Sequence, residues 1–590
     1  MTPTTDTPHQ PAGRRPGRAS ADRSGRAGSS GRAGGWSRAG GWGIYPVLLI
    51  LLVLVAAPLV AVLSGAVFGY RDEPSALGDL AKADMLRVLF NTVQLSVLVV
   101  VFATVFAAPL ALLRAWTPLK KHEWMEVFIL IPFMTPPFAS ALAWMDFTRL
   151  GGVADLLFGK TVGKLAHDAI YSVGGMAFIM AAELFPFLYL ILRNCFSAIS
   201  ASSLEAAQVA GASTWQQFTR VVAPLVVGPY SLGALIVFIK AAGEFGTPVT
   251  LGNAIGYPVL VSSIYQDVTI DPLNFSSAAA SSSVLFALGV TAWAFQQWIA
   301  RKDLTGGGRV ARQVHLRLSG PGKAVAWLYC ALVFLGSVII PYIAIILSAM
   351  TILRSQPPTP DNLTFDYFGI VLSTPSAQEA LLRSITLGAI GACTAVLLAL
   401  LVTLVGRAAA RSRHRLPARV TDFFAVAPDT VPGIVLAIGF ILLWNSPRLP
   451  WSPYGTQVIL VMAFSVLFLP MAVQNIKTSA GAISPTVYEA AQVAGASGGQ
   501  TLWRITLPLL APGLFAGWIL AFFVGIRELV MSSLIRPSNI NLLAPWIMNQ
   551  FDQGHRAEAM AMTLIGVGTS TVVLVLTNLW QARRAKRVAA

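Results

Sequence analysis

Few residues in this 590-residue chain have side chains suited to chemistry, and a handful of them sit in apolar surroundings. Glu183 lies in MAAELFPF, Glu244 in AAGEFGTP, and Arg527 and Glu528 in VGIRELVM. An ionisable group at membrane depth is costly, and one that persists there faces a transport path or a partner group. These four are the expected translocation-path residues; the competing reading is packing, with Glu528 paired to Arg527. The run ADLLFGKT at 154–161 fits a relaxed nucleotide pattern, Ala/Gly-x4-Gly-Lys-Ser/Thr. A phosphate loop needs a strand before it and a helix after it. Here the run falls in a short loop read as facing outward, away from ATP, so no nucleotide site is expected. The histidines (His9, His122, His167, His315, His414, His555) never cluster, and Cys195, Cys330 and Cys393 stand far apart. No metal ligand set, disulfide framework, catalytic residue or resident cofactor is expected.

The elements that must hold these groups are membrane helices. The chain is 55% hydrophobic and 12% charged, with a mean hydropathy of +0.67, a composition that makes the bilayer its solvent. Runs of roughly 20 apolar residues are long enough to cross as helices. Spans are expected near 44–68, 87–113, 125–147, 170–192, 229–249 and 277–300. A second set is expected near 325–352, 381–405, 421–444, 455–476, 512–533 and 560–581. The fold class is all-α: about twelve transmembrane helices in two six-helix groups.

The net charge of +16 invites a nucleic-acid reading, but its distribution argues for topology instead. With the N-terminus inside, 25 Lys and Arg fall on the two tails, the central linker and the inner loops 114–123 and 406–419, against 9 on outer loops. That asymmetry is the positive-inside rule and places both termini in the cytoplasm. Membrane lipid is an expected partner and nucleic acid is not. The expected organisation is a disordered basic tail over 1–43, a first module over 44–300, a linker over 301–324, a second module over 325–581 and a basic C-terminus over 582–590.

Two polar breaks carry the same nine residues, EAAQVAGAS, at 205–213 and 489–497. Pro224 and Pro508 follow at the same offset, as do Phe185-Pro186 with Leu469-Pro470 and Glu244 with Glu528. Farther upstream LIPFMTPPF, with Pro132 and Pro136, matches VAPDTVPGI, with Pro428 and Pro432. Six spans per half give both halves one orientation, so the repeat is parallel. Ser202 with Glu205, and Thr486 with Glu489, fit capping boxes that start a two-turn helix. Gly211 and Gly495 suit the left-handed turn that ends it. Ser213 with Gln216, and Ser497 with Gln500, open a second helix, which Pro224 and Pro508 are expected to close. The small residues Ala206, Ala207, Ala490 and Ala491 let another backbone come close. Identical surfaces on non-identical halves suit a two-fold symmetric partner that offers one groove twice.

These segments resemble the EAA loop of binding-protein-dependent ABC importer permeases. The match rests on Glu205, Ala206, Ala207, Gly211 and Pro224, and on Glu489, Ala490, Ala491, Gly495, Ile505, Leu507 and Pro508. The first copy departs mildly from the family's I-x-L-P, carrying Val221, Val222 and Ala223 before its proline. The resemblance covers about 44–581 and implies coupling helices that dock on a cytoplasmic ABC ATPase, a dimer meeting both repeats. It implies that ATP and Mg are bound by that partner and that an extracytoplasmic binding protein delivers substrate. It also implies a multi-pass protein of the bacterial inner membrane. The fused form, with GEFGTPVTLG (243–252) and RELVMSSLIRP (527–537), is most similar to ferric-iron importer permeases; thiamine, aminoethylphosphonate and polyamine permeases are the alternatives. An ion-coupled 6+6 secondary transporter would show a G-x-x-x-D-R-x-G-R-R motif between its second and third spans, and 114–124 has none.

Overall fold

The computed structural model describes residues 42–302, 314–316, 318–410, 414–447 and 449–589. The tail expected over 1–43 lies almost wholly outside the described residues, as does much of the linker at 301–324. No strand occurs among the described residues, only an isolated bridge between Thr351 and Leu363. Within a bilayer a helix satisfies every backbone N–H and C=O internally, which is why apolar runs of this length adopt it.

The first half consists of α1 (Ile44–Phe68), α2 (Ala83–Trp116), α3 (Trp124–Met134), α4 (Pro137–Thr148), α5 (Val173–Ala198), α6 (Ala201–Val209), α7 (Thr214–Ala242) and α8 (Phe275–Lys302). The second half repeats the order with α9 (Gly320–Met350), α10 (Pro375–Ala410), α11 (Arg415–Val426), α12 (Gly433–Trp444), α13 (Gln457–Gly481), α14 (Pro485–Val493), α15 (Gly498–Ile526) and α16 (Arg556–Ala589). Nine helices among the described residues are long and apolar enough to cross a membrane, and the bent pairs α3–α4 and α11–α12 raise this to eleven. The remaining expected span, 560–581, falls on α16, part of whose side chains lie outside the described residues.

The expected spans 125–147 and 421–444 are broken rather than straight, turning by 88° and 111°. The cause is local. A residue before proline is pushed out of the helical region. Thr135 (φ −81°, ψ 137°) and Pro136 (φ −61°, ψ 131°) are extended, as is Pro432 (φ −55°, ψ 137°). The short helices beyond the bends, α4 and α12, are buried along nearly their whole length.

Within each half the second, fourth and fifth spans pack together: α2, α5 and α7 in one, α10, α13 and α15 in the other. The first span of each half reaches across to its neighbour. Helix α1 packs on α11 and α12, and α9 packs on α4. The crossing is tight, for a side-chain carbon at Gly439 would fall 2.5 Å from the Pro58 carbonyl oxygen. Small residues permit such backbone approach between membrane helices.

Pro224 and Pro508 do not close a helix, contrary to expectation. The chain runs helically through both, and a widened π-turn precedes each, at Phe218–Val222 and Leu502–Thr506. Proline lacks an N–H and crowds the preceding turn; the wider turn absorbs it. The first spans carry the same device, at Leu52–Ala56 before Pro58 and Leu335–Ile339 before Pro341. The fifth spans accordingly begin at Thr214 and Gly498, well ahead of the expected 229 and 512.

Candidate coupling surface and translocation site

The two EAAQVAGAS segments fold alike. Helix α6 starts after Ser200, whose hydroxyl accepts the Ser202 N–H at 3.2 Å; α14 starts after Ser484, which accepts the Thr486 N–H at 3.3 Å. The cap is therefore two residues earlier than the expected Ser202 and Thr486, and Glu205 and Glu489 do not complete the expected capping boxes. The reason stands in the second copy: Pro485 sits at a first-turn position where its missing N–H costs nothing, which puts the cap at Ser484.

Each helix ends in a left-handed glycine, Gly211 at φ 84° and Gly495 at φ 75°. Around it the Gly211 N–H bonds the Gln208 carbonyl (2.9 Å) and the Ala212 N–H the Ala207 carbonyl (3.0 Å). The second copy repeats this from Gly495 to Gln492 and Ala496 to Ala491, both at 3.0 Å. This paired bonding is the glycine stop that closes a helix end. Both expected boxes that follow are formed, Ser213 with Gln216 and Ser497 with Gln500. Glu205, Ala206, Glu489, Ala490, Pro224 and Pro508 are exposed, whereas Ala207 is half-buried and Ala491 buried. Val209 and Val493 are 90% and 91% exposed. A side chain added at either glycine would meet no atom within 4 Å, so the turn faces open space.

The ionisable residues meet where the fifth spans end against the bends of the opposite half. Gly243 ends α7, and a side-chain carbon there would lie 2.8 Å from the Pro432 ring. Arg527, its counterpart in the second half, donates to the Thr135 carbonyl at 3.1 Å. One turn before Gly243, Lys240 approaches Asp429 across the same divide at 3.4 Å. Glu244 and Glu528 fold back onto the chain that follows. Glu244 accepts the Gly246 N–H (2.7 Å) and the Thr247 N–H (3.1 Å). Glu528 accepts the Met531 N–H (2.8 Å) and both the N–H and the hydroxyl of Ser532 (2.9 Å each). Each carboxylate holds the break after its span, so the Glu528 contacts seen here are to backbone and Ser532 rather than to Arg527. Glu183, in the middle of α5, is 6% exposed and lies beside Ser140, with Glu244 and Arg527 close enough to act on its charge.

A second charge cluster ties the halves together near the ends of α4 and α16. Asp146, at the end of α4, receives Arg354 at 2.7 Å and Arg556 at 3.2 Å from the second half, with Arg149 at 3.4 Å. Burial pulls the Arg354 guanidinium below its ordinary pKa, and Asp146 opposes that pull. The run 154–161 is a pair of short helices, Val153–Phe158 and Lys160–Ile170, joined at Gly159. It has no strand before it, which a phosphate loop requires.

The sequence family described as binding-protein-dependent transport system inner membrane component matches residues 103–302 and again 402–590. The chain belongs to that family. Two matches in one chain make it a fused two-module permease, a multi-pass membrane protein. It is similar to the ferric transport system permease protein of Actinobacillus pleuropneumoniae, 23% identical over 492 residues that cover 82% of this chain and 69% of that protein. It is likewise similar to the Fe(3+)-transport system permease protein of Haemophilus influenzae, 24% identical over 503 residues, 84% of this chain and 90% of that one. A putative 2-aminoethylphosphonate transport system permease protein of Salmonella typhi is 26% identical over 257 residues, 44% of this chain and 95% of that protein.

Both EAAQVAGAS segments of the permease lie inside the matched regions, as do the four charged path candidates. Thr135, Lys240 and Asp429 escaped the sequence reading although they take part in the contact between halves. The proline-marked bends were visible as repeats; what they touch, more than a hundred residues away, was not.

Proposed function

We propose that this permease is the membrane subunit of an ATP-driven importer whose cargo is ferric iron. The observation that carries the proposal is the pair of superimposable helix–glycine–helix segments, each with its turn facing open space. Two equal docking points on unequal halves suit a partner that is itself two-fold symmetric. In this reading Glu205, Ala206, Ala207, Gly211 and Pro224, with Glu489, Ala490, Ala491, Gly495 and Pro508, form the coupling surface. A cytoplasmic ATPase dimer docks there and supplies ATP and Mg chemistry. Both termini lie in the cytoplasm, and an extracytoplasmic binding protein delivers cargo to the opposite face.

Closure of the ATPase pair moves α6 and α14, and through the continuous helices α7 and α15 this motion reaches Gly243 and Arg527 at the bends. A helix unbroken from docking turn to gate transmits displacement with little loss. Ferric iron as cargo rests on the two ferric-transport relatives that align with 82% and 84% of this chain, and the carboxylates Glu183, Glu244 and Glu528 along the path suit a hard cation. The test is reconstitution in liposomes with the cognate ATPase and binding protein. Ferric iron delivered by the binding protein is expected to stimulate hydrolysis and to accumulate inside. Stimulation by thiamine, a polyamine or 2-aminoethylphosphonate, with none by iron, reassigns the cargo.

A further inference from the structure

The inner arms of the two broken spans carry a joint that the repeat reproduces. Glu126 in α3 stands six residues before Pro132, and Asp422 in α11 six before Pro428. Arg193 in α5 and Lys477 in α13 each stand twelve residues before the glutamate that opens EAAQVAGAS. The fold brings each acid to its base: Asp422 meets Lys477 at 2.8 Å, and Glu126 meets Arg193 at 3.5 Å. Helices α3 and α5 pack together, as do α11 and α13. The residue types differ between the halves, but the sign of each charge and the elements it joins do not. In the first half Glu126 also accepts from the Arg114 guanidinium at 2.7 Å and the Tyr189 hydroxyl at 2.8 Å. The Arg114 side chain is 3% exposed, whereas those of Lys477 and Asp422 are 37% and 47% exposed. The first joint is braced from α2 as well as α5; the second is a single half-exposed pair among the described residues.

We infer that Glu126 with Arg193, and Asp422 with Lys477, are positioning residues that make the inner arm of each broken span move with the docking turn of its own half. No more than three residues separate α5 from α6 and α13 from α14, so a displacement of either docking helix reaches the base directly. The ion pair passes it to the arm, and the arm ends at the bend: Thr135 and Pro136 after α3, Pro432 after α11. The other side of each bend is held by the opposite half, Thr135 by Arg527 and Pro432 by its close contact with Gly243. Each bend is therefore driven from two docking turns, its own through the ion pair and the other through the continuous fifth span. Apolar helix faces have little preference for one another over lipid tails. An ion pair gives arm and span a fixed partner, while the extended residues at the bend supply the hinge.

The inference rests on the importer reading, and its test separates the two. The variants are made in the second half, where half-exposed side chains tolerate substitution; removing Glu126 would strand the buried Arg114. Asp422→Lys and Lys477→Asp each set like charges against one another, and the exchange Asp422→Lys, Lys477→Asp restores attraction with its direction reversed. Each is reconstituted in liposomes with the ATPase and the binding protein, with ferric iron as the probe. The single variants are expected to keep the ATPase bound and hydrolysing while iron imported per ATP falls about fivefold, the scale of an exposed pair turned repulsive. The exchange is expected to return that ratio to within about twofold of the parent. A pair serving packing alone would lower abundance or thermal stability and leave the ratio unmoved. A second readout needs no cargo: the distance between spin labels at the exposed positions Leu416 on α11 and Gln474 on α13, with and without an ATP analogue. Nucleotide should leave it unchanged in the parent and the exchange, and change it in the single variants. A transport ratio within about twofold of the parent in both single variants, no recovery in the exchange, or a label distance that shifts with nucleotide in the parent overturns the inference. No iron uptake by the parent, with the label distances behaving as expected, overturns the iron reading alone.

Discussion

The segments at 201–217 and 485–501 share nine consecutive residues, caps and turn bonds, whereas the ends of α7 and α15 share a backbone course and few side chains. In the first region Gly211 and Gly495 have φ of 84° and 75°, and nothing in the folded chain would block a side chain at either. In the second, one half places Lys240 and Gly243 against the opposing bend, and the other places Arg527. Identity without internal need points to an external template; divergence under a conserved backbone points to a path whose two walls do different work. In the function proposed above, the permease is symmetric where it meets its motor and asymmetric where it meets its cargo.

The strongest way to break that comparison is at the glycines. In Gly211→Asp or Gly495→Asp the left-handed backbone costs roughly 1–2 kcal/mol, a strain confined to a surface turn. The spans do not depend on that turn, so membrane abundance should survive. Because a partner must come close there, either single substitution should drop transport to background and release the ATPase on purification. The double variant should do little further harm, since the first loss already uncouples the machine. Full assembly with coupled transport in the double variant would end the claim of a shared docking surface.

A smaller effect sharpens the contrast at the path. Glutamine in place of Glu244 or Glu528 turns one acceptor oxygen into a donor that faces backbone N–H groups. An unmet buried bond costs about 1–3 kcal/mol, and Glu528, which holds three separate donor groups to Glu244's two, should suffer more. Uptake is expected to fall about tenfold in Glu528→Gln, less in Glu244→Gln, with thermal unfolding of the complex nearly unmoved. Normal uptake in the double variant would reduce both residues to dispensable caps.

The smallest effect is a control outside both regions. Lys160→Ala, in the phosphate-loop look-alike, should change transport within about ±0.5 kcal/mol. Nucleotide cross-linking to 154–161 in the isolated chain would overturn the reading that this strandless run holds no nucleotide.

Much of this was legible beforehand, for identifiable reasons. Helices declared themselves by apolar length, the repeat by nine identical residues, and the turn by a glycine followed by a Ser-x-x-Gln box. The cap at Ser200 and Ser484 was misplaced by two residues because hydroxyls at 202 and 486 also fit; Pro485 was the overlooked arbiter. The π-turns before Pro224 and Pro508 were not legible, because proline announces a difficulty without stating whether the helix breaks or widens. Contacts such as Arg527 with Thr135 join residues 392 positions apart. Such pairings depend on how the halves interlock, which no local pattern encodes.

That interlocking has a consequence for how the protein is made. Tyr45, on α1, finds its hydrogen-bond partner His414 only 369 positions later in the chain. At ribosomal speeds of 5–20 residues per second, roughly 20 to 70 seconds separate the synthesis of the two. Throughout that interval α1 has lipid where its protein neighbours α11 and α12 will be. It is also the most apolar of the described spans, a composition suited to a helix that must be stable alone before it is stable in company. Assembly of the permease is thus a delayed capture, with the earliest helix held in reserve by the bilayer until the second half arrives to claim it.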